Sequence, residues 1–230
     1  MVLGLYADDS HDRKMETIIS AGALIGWPYL IFDAECRWQK RIDRDGITYF
    51  RSFDCENLSG EFDPHKHGWS LNVGSTIARA VRNDLVSIIT SKTGIAGIGT
   101  GFLLDDFRDV VSSNSTARDY WGTDPTIAVY KLLITTVLQL LDIDWPESRG
   151  LPIAFTFDDH ANWKEAEEAY RQLKVNDPLG DRMGYVAHAD DKAHPPLQMA
   201  DLIAYETRLR TIEWLAQQEP RSHIPHHGRK

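Results

Sequence analysis

Two short apolar runs, each closed by a pair of aspartates, most restrict what this chain can fold into. Residues 2–7 are apolar and stop at Asp8 and Asp9; residues 153–157 are apolar and stop at Asp158 and Asp159. An apolar run without polar alternation is the pattern of a strand covered on both faces, so each is expected to be a central strand of a helix-flanked sheet. Where such strands run parallel, their C-terminal ends meet at one edge of the sheet, and sites gather there.

The rest of the chain supplies the flanks. Residues 17–27, rich in Ile, Ala and Gly, predict a second strand ending at Pro28. Residues 47–53 carry β-branched and aromatic side chains in near alternation and predict a third, while the charged interval 37–45, closing at Gly46, predicts a turn or protruding loop. Ser75 is the expected N-cap of a helix whose Ile77, Val81, Leu85 and Ile88 recur at helical spacing. Residues 94–104 read as a strand despite four glycines. Asp124-Pro125 places an N-cap before proline at the first helical position and predicts a helix to about Leu141. Trp163, Ala166, Tyr170 and Leu173 mark one face of a further helix, and residues 183–188 a short strand. Pro195-Pro196 opens a last helix to about residue 218, with Leu202, Tyr205, Leu209, Ile212 and Ala216 as its stripe.

Three early strands with short connections imply antiparallel pairing, and the later alternation of strands and helices implies parallel additions. The fold class is therefore α/β with a mixed central sheet flanked by helices, in the element order of an RNase H-like fold. A doubly wound flavodoxin-like sheet is the alternative; it needs alternation from the start, which the first seventy residues lack.

A chain of 230 residues favours one domain, expected over residues 1–220, with 221–230 as a solvated tail. The net charge of −9, from 25 Lys and Arg against 34 Asp and Glu, argues against holding DNA by a uniformly basic surface. It suits a site made of carboxylates. With only Cys36 and Cys55 no disulfide framework is expected, and a reduced, cytoplasmic setting follows. The N-terminal run lacks the positive leader of a signal peptide, and residues 127–141, interrupted by Lys131 and Gln139, read as too short to span a bilayer.

Asp8 and Asp158 fall at strand ends, and Asp201 lies early in the last helix among apolar neighbours. Carboxylates packed together repel unless a cation lies between them. Mg²⁺ or Mn²⁺ is the natural partner, being a hard ion that prefers oxygen ligands. Two such ions about 3.5–4 Å apart activate water and stabilise the leaving oxygen in phosphodiester hydrolysis. The competing explanation is plain: Asp commonly ends strands and caps helices, and near a helix N-terminus it also suits the macrodipole.

Tyr6-Ala7-Asp8-Asp9-Ser10 resembles the N-terminal motif of the bacterial domain-of-unknown-function family numbered 3800. Residues 196–205, Pro-Leu-Gln-Met-Ala-Asp-Leu-Ile-Ala-Tyr, closely resemble its C-terminal motif, in which Leu-Gln, a small residue and Asp open the final helix. Residues 50–62, with Asp54, Glu56 and Gly60, are similar to its middle segment, and residues 153–158 to its apolar strand ending in Asp. The resemblance implies an RNase H-like fold and a metal-dependent nuclease acting on DNA or RNA, with Asp8, Asp158 and Asp201 as catalytic metal ligands. Asp54 or Glu56 would add a further ligand. The chain departs from the family pattern at Asp9, where Glu is common, at His11, where Gly is common, and at Arg51, where His is frequent. The last change removes a candidate ligand or proton-transfer group. Two alternatives stand beside the nuclease: a non-catalytic module binding nucleic acid or protein, and a metal-dependent hydrolase of small phosphate esters.

Other chemistries find less support. Asp8-Asp9-Ser10 lacks the Asp-x-Asp spacing of an aspartyl-phosphate enzyme, no Gly-x-Ser-x-Gly surrounds a serine, and glycine-rich 94–101 has no following Gly-Lys-Ser/Thr. His65 and His67 read as solvated, and neither cysteine lies in a zinc pattern. For nucleic-acid contact, Arg37, Lys40, Arg41, Arg44 and Arg51 form the densest basic stretch, though acids are interleaved. Arg208, two turns beyond Asp201 on the same helix face, is expected to bind a substrate phosphate or pair with an acid.

Overall fold

The computed structural model describes residues 1–11, 17–91, 93–159 and 162–217. The chain opens with β1 (Leu3–His11) and β2 (Ile18–Gly26), followed by helices α1 (Pro28–Asp43), α2 (Ser52–Asn57), α3 (Pro64–His67) and α4 (Leu71–Thr90). Then come β3 (Ile95–Leu103), α5 (Leu104–Ser113), α6 (Ser115–Trp121) and α7 (Pro125–Asp144). β4 (Ile153–Asp158), α8 (Trp163–Asn176), β5 (Met183–Ala189) and α9 (Pro195–Gln217) complete it. The sheet order is β3-β2-β1-β4-β5; β1, β2 and β3 pair antiparallel, while β4 joins β1 and β5 joins β4 in parallel. This is the mixed, helix-flanked sheet of an RNase H-like fold. The tail at 221–230 and residue 218 lie outside the described residues.

Two expected local structures are corrected. Residues 37–45 are not a protruding loop for the most part: α1 starts at Pro28, which sits at its first turn, and buries Ile31, Ala34, Trp38, Arg41 and Ile42. Those positions recur at helical spacing, and Pro28 opens this element instead of closing the one before it. Residues 47–53 form no strand. They make an irregular strap that runs into α2, with Ile47, Phe50 and Ser52 buried. The third antiparallel strand is β3, so four helices separate it from β2. Helix α4 also begins earlier than expected, with Ser70 as its N-cap and its hydroxyl accepting from Val73 N.

The two faces of the sheet carry separate cores. On one, Leu3, Leu5, Ala7, Phe155 and Phe157 pack against Val129, Leu133 and Val137 of α7 and Ala166 and Tyr170 of α8. On the other, Leu24 packs with Trp38 of α1, Val81 and Leu85 of α4, and Met199 and Leu202 of α9. Helix α7 has 20 residues and is, by length and composition, long enough to cross a membrane, which corrects the shorter reading. Its Val129, Leu133, Ile134, Val137 and Leu138 are fully buried in the first core, as in the core helix of a globular fold.

Helix α9 lies directly on β2 and β3, and glycines make that approach achievable. A Cβ at Gly22 would stand 2.3 Å from Ala204 N, and one at Gly99 1.8 Å from Thr207 Oγ1. The glycines of β3 are thus the seat of α9, and they do not break the strand. Ser20 of β2 ties the same contact by donating its hydroxyl to Ala204 O at 2.9 Å. This seating fixes where Asp201 falls.

Candidate functional site

β1 and β4 lie side by side in parallel, with Ala7 opposite Phe157. Their next residues, Asp8 and Asp158, are therefore neighbours. Asp158 is the last residue of β4, while Asp8, expected at a strand end, lies inside β1, which runs on to His11 paired with β2 because Asp8 still faces Gly22 there. Helix α9 crosses β1 and β2 and brings Asp201 over this pair from the opposite end of the chain. All three carboxylates line one cavity of about 320 Å³, together with Asp9, Asp54, Arg51, Tyr130, Asp191 and Arg208.

Strand alternation sends Asp8 and Asp9 to opposite faces. Burial raises the Asp8 carboxyl well above its ordinary range, and the charges of Asp201, Asp9 and Asp158 push it further; the Asp9 N–H, 2.8 Å from Asp8 Oδ1, opposes them. Asp9 turns toward α7, where it accepts from the Tyr130 hydroxyl at 2.9 Å and from Asn162 Nδ2 at 3.0 Å. Burial raises its carboxyl too, and these hydrogen bonds pull it back. Burial raises Tyr130 well above the usual phenol value, with Asp9 and Asp8 adding to the effect, so it stays a donor to Asp9.

Burial pushes the Asp201 carboxyl up to about 6, against the Ser52 amide, which donates to Asp201 Oδ2 at 2.7 Å. The Asp191 charge raises it further and Arg51 lowers it. Arg51 itself is anchored, its Nε 2.9 Å from Asp191 Oδ2. Arg208 donates to Ser10 Oγ at 3.2 Å and lies over the Tyr205 ring at 4.8 Å, so it faces the cavity from the far side. Both expected substrate-binding arginines thus border the acids.

The optional fourth acids separate. Asp54 lines the cavity, but its Oδ1 accepts from Ser59 Oγ at 3.0 Å and its carboxylate lies under Gly60. Glu56 is exposed and lies 3.5 Å from Arg82 Nη1, away from the other acids. Sequence reasoning missed Asp191, only 2% exposed, in a short 3-10 turn (Asp191–Ala193) directly after β5. A signal was present: Asp190-Asp191 follows an apolar strand, as Asp8 and Asp158 do. Tyr130 and Asn162 were missed as well, and nothing local in the sequence marks them. The basic stretch of α1 is largely engaged elsewhere, Arg41 with Asp45 at 2.5 Å and Asp84 at 2.6 Å, and Arg44 with Asp84 at 3.4 Å.

Oxygen ligands from several elements suit a hard divalent ion, and the mutual repulsion at Asp8 is what such an ion would relieve. Among the described residues, no three His, Cys, Asp or Glu side chains yet stand close enough to enclose one.

The fold is RNase H-like. A variant of Bst-RNase HIII superposes with a TM-score of 0.51 at 15% identity, and Bst-RNase HIII in complex with Mn²⁺ with 0.50 at 15%. Each match takes in 94% of this chain and 55% of the other, so the chain spans about half the length of those proteins. A PCNA:RNase HII complex from Archaeoglobus fulgidus gives 0.47 at 14% identity, over 94% of this chain and 78% of that one. No protein-family profile matches the sequence, and neither does any curated protein.

Proposed function

We propose that this protein is a metal-dependent nuclease that hydrolyses phosphodiester bonds of DNA or RNA, and a member of the family its end motifs resemble. The observation carrying this reading is the convergence of Asp8, Asp158 and Asp201, from three elements distant in sequence, on one cavity where the charges of Asp201 and Asp158 add to burial in raising the Asp8 carboxyl. Structural likeness to Bst-RNase HIII, crystallised with Mn²⁺, adds support at the level of fold.

Asp8, Asp158 and Asp201 would hold Mg²⁺ or Mn²⁺, and Asp191 borders the same space; Asp54 is the remaining optional ligand. Bound there, the ion would activate water for attack on phosphorus and stabilise the departing oxygen. The residues of the chain do the rest. The carboxylates, which repel one another when charged, would draw together around the cation. Arg208 and Arg51, on opposite sides, orient a phosphate by charge-assisted hydrogen bonds. Tyr130 and Asn162 hold Asp9 in place beside Asp8. A single domain over 1–220 and a cytoplasmic setting belong to the same proposal.

The test is cleavage of labelled single- and double-stranded DNA and RNA oligonucleotides in Mn²⁺ or Mg²⁺, with EDTA and Asp8→Asn as controls. Metal-dependent products that vanish in both controls are expected. Binding that persists in EDTA with no cleavage would make it a binding module, and turnover of mononucleotides alone would make it a small-ester hydrolase. Either result overturns the nuclease reading.

A further inference from the structure

The buried side chain of Gln198 stands one turn before Asp201 on α9, and its polar atoms bond to an indole, a backbone amide and a backbone carbonyl instead of to a carboxylate. It is fully buried, with three hydrogen bonds. Its Oε1 accepts from Trp38 Nε1 at 3.0 Å and from the Phe50 amide at 2.9 Å; its Nε2 donates to Asp191 O at 2.9 Å. A buried amide whose partners are all met is costly to place and costly to disturb, and it fixes the groups around it.

What it fixes are the two backbones that shape the acid site. The strap at 47–52 has alternate amides, Thr48, Phe50 and Ser52, and each donates to a side chain: Glu61 at 2.8 Å, Gln198 at 2.9 Å and Asp201 at 2.7 Å. No neighbouring strand takes these donors. Gln198 is the middle fastening, two residues before the amide on Asp201 and one before Arg51. Its other end holds the turn whose Asp191 grips Arg51. One side chain therefore joins the strap to the turn on either side of the Arg51–Asp191 pair.

We infer that Gln198 is a positioning residue for the acid site. Acting through Phe50 N and Asp191 O, it sets the register in which the Ser52 amide meets Asp201 and Arg51 meets Asp191. It does not act on substrate. A purely space-filling role would be met by methionine, which has nearly the same length and shape. The inference rests on the metal-site reading above, and its test separates the two.

Mn²⁺ dissociation constants would be measured by titration for wild type, Gln198→Met, Trp38→Phe and Ser52→Pro. Trp38→Phe removes the Gln198 bond that leads to no acid and keeps an aromatic ring in the core. Ser52→Pro deletes the amide on Asp201 at the first position of α2, where proline is tolerated after the extended Arg51 (φ −132°, ψ 129°). Gln198→Met is expected to weaken Mn²⁺ about tenfold or more, the usual effect of losing a partner that orients metal ligands. Ser52→Pro should follow it, and Trp38→Phe should stay within about twofold even where it melts earlier. Unchanged affinity in Gln198→Met, or equal loss in Trp38→Phe, overturns the inference. Should Gln198→Met fail to fold, unchanged affinity in Ser52→Pro does the same. If the wild type binds no Mn²⁺, the metal reading fails separately, and hydrogen exchange in EDTA then decides. Protection of the Phe50 and Ser52 amides should be lost in Gln198→Met and kept in Trp38→Phe; retention in both overturns the inference.

Discussion

Asp201→Asn should make the metal-free protein more stable, and by an amount that depends on pH. The Asp201 carboxyl has its pKa raised from 3.8 to about 6 by burial. A folded-state pKa above the unfolded value gives stability that is present below about pH 4 and lost as pH rises through about 6. At about 1.4 kcal/mol per unit, the penalty for holding the charged form at pH 7.5 is about 3 kcal/mol. The residue keeps a partial opening to the cavity, and the amide replacing the carboxylate accepts the Ser52 N–H more weakly, by about 1 kcal/mol. A net gain of about 1–2 kcal/mol at pH 7.5 remains, equivalent to a Tm rise of about 2–8 °C in a chain of this size. Near pH 4.5 the wild-type group is already mostly protonated, so the gain should vanish or turn into a small loss. Urea and thermal unfolding in EDTA at the two pH values, followed by tryptophan fluorescence, measure this. A variant destabilised at pH 7.5, or shifted equally at both pH values, would refute the reasoning.

Other substitutions test other parts of the account. Asp8→Asn and Asp158→Asn should fold normally and lose Mn²⁺-induced stabilisation, which at 100 times the dissociation constant is about 2.7 kcal/mol in wild type; thermal unfolding with and without Mn²⁺ shows it. Glu56→Gln should leave that stabilisation intact and change stability by less than about 1 kcal/mol, since its partner Arg82 is an exposed pairing at 3.5 Å. Gly22→Ala should cost about 3 kcal/mol or more in urea unfolding, because its Cβ would meet α9 backbone that cannot move without lifting Asp201. Phe155→Ala, at a fully buried core position, should cost about 3–5 kcal/mol in the same assay.

How far the sequence reveals this protein follows from what kind of partner each segment has. Residues 2–7 and 153–157 state their own burial, because strands covered on both faces must be apolar throughout, and β1 and β4 follow. Asp8, Asp158 and Asp201 are found from their places on such elements. The strap at 47–52 misleads for a physical reason. Its β-branched and aromatic residues read as a strand, but the buried positions, Ile47, Phe50 and Ser52, are not evenly spaced, and its amides bond to side chains of Glu61, Gln198 and Asp201, which no local pattern reveals. Helix α1 is hidden by its charges: Arg37, Lys40 and Arg44 belong to an exposed face, while Arg41 is buried with Asp45 and Asp84. Asp191 looks like a turn residue in sequence and becomes a site residue only when Arg51 and Gln198 close over it.

Anomalous diffraction from a crystal of the protein soaked in Mn²⁺ tests the central claim most directly. Density is expected between Asp8 and at least one of Asp158 and Asp201, with oxygen ligands at about 2.0–2.2 Å. Density elsewhere, or none at Mn²⁺ concentrations that stabilise the protein in solution, would contradict an acid site built to hold a divalent ion.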